Sequence, residues 1–378
     1  MKKQYQLYIL NFLSFFIIAL VNTQWIPFLT NLGYSIVERG YIFALNAVIA
    51  MIGQSIFGYL CDRYHKIKPF FFIAYLFFII SSLCMFLKEE QVFYYHLFSV
   101  SISGGMIKVI MGLEETWMLQ IDEEHYGKLR AWGAIGLTVG AFFASIIVKI
   151  GSYIALMIVL IILSFLLAYF VLLTREIKTK AQERMVLSNI KELMCNKKYW
   201  ILILIFLFIY MIGTADQYVV IDKMLAIGAS NEMVGMKWAI QSLMEVPCLL
   251  LASKLLARFQ PFTLLVFGTI MYAIKFILYA SASNSWVIVM AAALQVVTLP
   301  IIMLTSKIFI KEVAPTSLYA TAQMLAMALF MGVSGIITPL FTAYVSHSIG
   351  YNATLYIIAS LAILPLSFLF WYQKLNSK

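Results

Sequence analysis

A small set of ionisable side chains stands inside long apolar runs: Lys108, Glu114, Glu115, Asp216, Lys237, Glu245 and Lys275. Trp238 to Leu251 reads WAIQSLMEVPCLLL, with Glu245 near its middle. A charge at the centre of a bilayer-spanning helix costs on the order of 3 kcal/mol even on lenient insertion scales, so such residues face a bundle interior or a watery cavity and pair there. Lys237, Gln241 and Glu245 recur at every fourth position, which places them along one helical stripe. Lys108 and Glu115 share a face of a second run, and Asn11, Ser14, Asn22 and Trp25 line a face of the first. Three stripes are thereby offered to a common cavity. Pro247 follows Glu245 by two residues, which predicts a broken or kinked helix whose freed backbone groups want polar company. A carboxylate there, with water access that alternates, can take up and release a proton. The competing use of these charges is internal pairing that only locks helices together: Lys108 with Glu114 or Glu115, and Asp216 with Lys237 or Lys275. Trp25 fits a cavity wall or an interfacial anchor equally well.

The elements that must hold these groups follow from composition. The chain has 378 residues, 63% hydrophobic and 12% charged, where soluble domains carry roughly a quarter charged residues. A spanning helix needs about 20 apolar residues. Such runs recur near 7 to 29, 38 to 60, 69 to 87, 92 to 119, 130 to 149, 152 to 174, 199 to 221, 233 to 257, 262 to 280, 285 to 309, 317 to 345 and 350 to 372. The expected fold is an all-α membrane protein of twelve transmembrane helices. The polar break at 175–198 predicts a cytoplasmic linker between an N-terminal six-helix bundle, 1–174, and a C-terminal one, 199–378. Sliding the chain along itself places Gly33, Ser35, Gly40, Ala44, Leu60 and Arg63 on Gly228, Ser230, Gly235, Ala239, Leu255 and Arg258 without a gap. Two related halves with a solute site at the midplane between them are a transporter plan.

The net charge of +10 reports topology, not a nucleic-acid partner. Most of the 27 Lys and Arg fall on segments that alternate to one side, while the other side's loops hold Arg39, Lys88, Lys149 and Lys223. By the positive-inside rule both termini are cytoplasmic, in a multi-pass protein of the cytoplasmic membrane. No small-residue cleavage pattern follows the first run, so it reads as an uncleaved helix. The four cysteines lack CxxC spacing and the four histidines are scattered, which suggests neither disulfides nor a metal site. No GxxxxGK[ST] loop occurs, so an ion gradient is the expected energy source, with no cofactor. No nucleophile stands beside a base within the spans, which argues against an enzyme. Gly133, Gly136, Gly140 and Ala144 form a small-residue stripe suited to close helix packing.

GYLCDRYHKIK, Gly58 to Lys68, resembles the GxxxD(R/K) loop of the major facilitator superfamily. YGKLRAWGAIG, Tyr126 to Gly136, and IGASNEMVGMKWAIQSLMEVP, Ile227 to Pro247, are similar to the branch containing lactose permease, the nucleoside permeases and the phenylpropionate permeases. The resemblance implies the major facilitator fold and a cytoplasmic gate in which Gly58 lets helices approach while Asp62 and Arg63 form a charge network. It implies that Arg130, with Glu114 or Glu115, holds solute hydroxyls. Leu137 replaces a stacking Trp of lactose permease, which argues against a galactoside. Gln295 and Thr298 stand where that permease has its proton-handling His and Glu, Lys275 where it has an arginine, and Ala292 where the lysine partner of the Asp216 position would be.

These readings converge on proton-coupled uptake of a small polar or aromatic organic solute, a sugar, nucleoside or aryl acid, by alternating access. Glu245 and Asp216 are the expected proton-coupling residues. Glu114, Glu115, Arg130, Trp25, Asn22, Lys237, Gln241, Lys275 and Gln295 are the expected solute-binding ones. The expected partners are the solute and the lipid bilayer, with the chain a monomer. An exporter or exchanger, and a nontransporting receptor or sensor, are the alternatives.

Overall fold

Apolar runs of about 20 residues, rich in Leu, Ile, Phe and Ala, satisfy every backbone group within the run by coiling into helices. The computed structural model describes residues 3–122, 126–175, 195–314 and 319–376, and among these there is no strand. Most of the expected linker, 176–194, lies outside the described residues. We number the long helices α1 (Lys3–Asn22, resuming as Trp25–Asn31), α2 (Ile36–Tyr64), α3 (Lys68–Leu87), α4 (Phe93–Ile121) and α5 (Tyr126–Leu173). There follow α6 (Lys197–Ala215, resuming as Val219–Ala226), α7 (Asn231–Arg258), α8 (Pro261–Ser281) and α9 (Ser285–Ala291, a 3-10 stretch Ala292–Val297, then Leu299–Val313). The last are α10 (Tyr319–Met327 through a π turn to Val333–Ile349) and α11 (Tyr351–Ser360, Ile363–Asn376).

Among the described residues, 11 helices are long and apolar enough to cross a membrane. The run α5 is exceptional, because its 48 residues would make a straight rod of about 72 Å against a hydrocarbon core of about 30 Å. Gly151 and Ser152 leave helical geometry, Ser152 with φ 59°, and divide it into two arms. Gly136 and Gly140 in the first arm lie against the backbone carbonyls of Phe12 and Phe16 in α1, the close contact the small-residue stripe predicts. In the second arm Tyr153 stacks on Phe86 of α3 at 5.1 Å, and Lys68 at the start of α3 donates to the carbonyls of Leu172 and Thr174. Bulky apolar residues such as Phe77, Ile80, Ile162 and Phe165 point outward, while hydroxyls such as Ser82 and Ser103 bond to each other inside. This is the surface of a multi-pass membrane protein.

The internal repeat has a conformational counterpart. Gly33 and Gly228 both adopt positive φ, 88° and 81°, in the turns before α2 and α7. Ser35 and Ser230 are the extended N-cap residues of those helices, and Ser35 completes a capping box with Glu38. Gly40 packs on Ala343 and Pro339 of α10, and Gly235 on Ala141 and Ser145 of α5. Each repeat thus uses the same glycine to bring its helix onto one from the other end of the sequence.

Candidate functional site

The helix α6 stops at Ala215 and restarts at Val219, and Asp216 sits in the interruption, 1% exposed. Its Oδ2 accepts from Lys275 Nζ of α8 at 2.6 Å. Its Oδ1 lies 2.9 Å from Lys237 Nζ of α7, off the line of a hydrogen bond, so that contact is electrostatic, while Lys237 donates to the Asp216 carbonyl at 3.0 Å. Sequence left Lys237 and Lys275 as alternative partners; the fold uses both. Lys275 also donates to Gln295 Oε1 at 2.7 Å, and Gln295 Nε2 donates to Glu245 Oε1 at 3.0 Å. Gln295 lies in the 3-10 stretch of α9, where Thr298 also reaches its side-chain oxygen at 3.2 Å. The outcome is one connected line, Lys237, Asp216, Lys275, Gln295, Glu245, drawn from four helices. A buried aspartate is tolerable here because its negative charge is faced by two lysine ammonium groups within 3 Å.

The stripe of α7 faces inward as its spacing predicts: Lys237 is wholly buried, Gln241 is buried with Oε1 unpartnered, and Glu245 is half-buried. Of the break or kink expected at Pro247, the break does not occur. The helix runs unbroken from Asn231 to Arg258 with the proline inside it, as membrane helices allow when neighbours re-satisfy the freed backbone.

A second polar centre lies between α1, α4 and α5. Asn11, Phe15, Met111, Glu114, Glu115, Met118 and Arg130 enclose a cavity of about 30 Å³, room for a water or two. Glu114 is buried and accepts from Ser14 Oγ at 2.6 Å, leaving Oε1 without a partner. Glu115 turns instead to the rim, where it lies 3.7 Å from Lys307 of α9. Arg130 rests its guanidinium on the Phe15 ring at 4.7 Å, and its buried Nη1 has no partner. Among the described residues no ion pair joins Lys108 to either glutamate; its side chain is half-buried, and its carbonyl accepts from Gln54 at 3.1 Å. Trp25 and Asn22 line a smaller cavity of about 10 Å³ with Thr23, Gln217, Tyr218 and Trp238. Trp25 is buried, its indole N–H unpartnered, so it is a cavity wall and not an interfacial anchor.

Two sets of residues depart from expectation. Asp62 and Arg63 are exposed at the end of α2; Arg63 reaches only Tyr59 and the Tyr64 ring, and Asp62 forms no ion pair among the described residues. An added Cβ on Gly58 would meet nothing within 4 Å. Among the described residues, neither the charge network nor the close approach expected there is present. At the opposite end, Arg39, Lys149 and Lys223 are helical and not loop residues. Arg39 Nη2 donates to Asp222 Oδ1 at 2.6 Å with both side chains 6% exposed, and its Nη1 donates to the Tyr34 carbonyl. Lys149 pairs with Glu232 at 2.6 Å, and buried Lys223 donates to the carbonyls of Tyr279 and Ala280. Sequence reading missed the Arg39–Asp222 pair. Both residues sit at helix ends that hydropathy windows treat as loop, although the Gly40 repeat position marked the contact beside it.

The comparisons with known proteins agree with the fold. The MFS_1 like family matches residues 5–358. Sucrose permease of Escherichia coli is 21% identical over 297 residues, covering 72% of this chain and 69% of that protein. The structure of nucleoside transporter NupG superimposes with a TM-score of 0.81 at 17% identity, covering 97% of this chain and 98% of that one. A POT family transporter in complex with 5-aminolevulinic acid gives 0.76 at 11% identity, covering 98% and 96%. At those identities the structural likenesses speak for the fold alone.

Proposed function

Since the chain belongs to the MFS_1 like family of membrane transporters, which are permeases and not enzymes, we propose that it is a proton-coupled secondary transporter. It takes up a small polar or aromatic organic solute by alternating access. In this reading the two arms of α5 cross separately, so twelve crossings form bundles over 1–174 and 199–378 with 175–198 as the cytoplasmic linker. Both termini face the cytoplasm, by the distribution of Lys and Arg, and the chain works as a monomer in the cytoplasmic membrane.

The observation that carries the proposal is the buried line from Lys237 to Glu245. Glu245 is its terminal carboxylate, half-buried where the others are sealed, and so the member that meets a water path most readily. A proton on Glu245 weakens its hold on the Gln295 amide, and Gln295 is also the acceptor for Lys275. The change therefore reaches Asp216 and the interruption in α6. Solute binds between Arg130 and Glu114, whose polar atoms are unpartnered, once the helices part to widen a cavity that here has room only for a water or two. Gln241 and Glu245 lie on the inward-facing stripe of α7. Glu245→Gln in proteoliposomes is expected to abolish accumulation against a gradient while counterflow persists. Accumulation by that variant would assign the proton to another group.

A further inference from the structure

The repeat that aligns α2 with α7 extends back to the two interrupted helices before them. α1 stops at Asn22 and resumes at Trp25, and α6 stops at Ala215 and resumes at Val219. The same offset places Asn22 on Gln217, Thr23 on Tyr218 and Ile26 on Ile221. Those three pairs, with Trp25 and Trp238, line the smaller cavity. Trp238 is the repeat counterpart of Phe43, which stacks on Tyr218 at 4.5 Å and lies 6.2 Å from the Trp25 ring. The cavity therefore sits between the two halves at a matched pair of helix interruptions, the place where transporters built of repeats hold their ligands.

Its walls have a definite chemistry. Trp25, Tyr218 and Trp238 bring aromatic rings from three helices. Among the described residues the side-chain amides of Asn22 and Gln217 make no hydrogen bond, and the buried indole N–H of Trp25 is unpartnered. An amide offers both donors and an acceptor. No charged side chain lines the cavity. Lys237 already rests its ammonium on the Trp238 ring at 4.2 Å and is held by Asp216, so a cationic ligand is repelled. An anionic ligand would leave water without gaining a free counter-charge. The cavity, about 10 Å³, has room for about one water while Asp222, beside Ile221, is held by Arg39. Parting the halves at that pair widens it.

We infer that this cavity is a second solute subsite, which takes an uncharged planar ring carrying a hydrogen-bond donor and an acceptor on its edge, as in a pyridone or an aryl amide. The faces of the ring meet Trp25, Tyr218 and Trp238, and its edge bonds the amides of Asn22 and Gln217. A saturated ring of the same outline keeps the edge but loses the flat faces. The inference rests on the transporter reading and narrows its solute class; it does not depend on which group carries the proton.

The test uses purified full-length protein with Asp222→Asn, which frees the outer end. The probes are 2-pyridone and benzamide, each against its saturated counterpart, 2-piperidone and cyclohexanecarboxamide, with benzoate as the charged control. At least one planar probe is expected to raise Tm by several degrees and to slow alkylation of Ile221→Cys, while its counterpart and benzoate do neither. Asn22→Leu and Gln217→Leu should each weaken that binding about tenfold, by leaving an edge group of the ring unpaired. Exchanging the two amides, Asn22→Gln with Gln217→Asn, should retain it, which separates lost contact from lost fold. Equal stabilisation by a saturated counterpart or by benzoate, no effect of either planar probe, or unaltered binding in both leucine variants overturns the inference. The two readings fail separately: a Glu245→Gln protein that still accumulates solute removes the coupling assignment and leaves the ring preference standing, whereas the ring preference is judged by binding alone.

Discussion

The two ends of the seam where early and late helices meet are closed by different means. At one end Arg39 and Asp222 form a 2.6 Å pair with both side chains 6% exposed. Around it Gly40 lies against α10, Tyr41 touches Tyr344, Phe43 stacks on Tyr218 at 4.5 Å, and Lys149 holds Glu232. At the other end the ion pair that spans the seam among the described residues is Glu115 with Lys307, 3.7 Å apart and nearly half exposed. A desolvated, hydrogen-bonded pair strands a charge when broken, whereas an exposed pair is worth about 0 to 1 kcal/mol. The structure is therefore latched at the Arg39 end and loose at the Asp62 end. With the orientation proposed above, it is the state that is shut to the outside.

The contrast can be broken most strongly at the latch. Asp222→Asn should cost the shut state about 3 to 5 kcal/mol by stranding Arg39. A cysteine at Ile221 should then become alkylated from outside many times faster, and exchanging the two charges should restore protection. Unchanged labelling would mean that apolar packing alone holds this end. Next in size is Gly40→Ala, whose new Cβ would sit 2.8 Å from Ala343 Cβ and 3.2 Å from the Pro339 carbonyl. Overpacking of this kind costs about 1 to 3 kcal/mol, so the same cysteine should label faster, though less so than with the latch broken. The smallest effect belongs to the loose end. Lys307→Ala should change stability by no more than about 1 kcal/mol and leave Ile221 labelling as in the wild type. Asp62→Asn should likewise leave the latched state untouched and slow only the step in which the loose end closes, read as slower turnover at unchanged solute affinity.

The same contrast separates what sequence can and cannot say. Crossing segments were legible because length and apolarity decide them: the break at Gly151 and Ser152 falls between the runs expected to end near 149 and begin near 152. The α7 stripe was legible too, since four-residue spacing fixes which side chains share a face. Partners across the seam were not. Arg39 and Asp222 are distant in sequence, and the rotation of α2 against α6 depends on packing that no periodicity records. Gln295 read as a replacement for a lost proton carrier, yet its place in a 3-10 stretch makes it the link between Lys275 and Glu245. Asp62 and Arg63 matched a motif faithfully, but a motif is silent about which state of the cycle brings its charges together.

If solute and proton cross together with the proton on Glu245, the pH of an unbuffered medium will report it when a transported solute is added to de-energised vesicles carrying the protein. A transient external alkalinisation is expected with wild type and none with Glu245→Gln, although the variant still exchanges labelled solute across the membrane. Uptake without any pH change in the wild type, or undiminished alkalinisation with the variant, would contradict it.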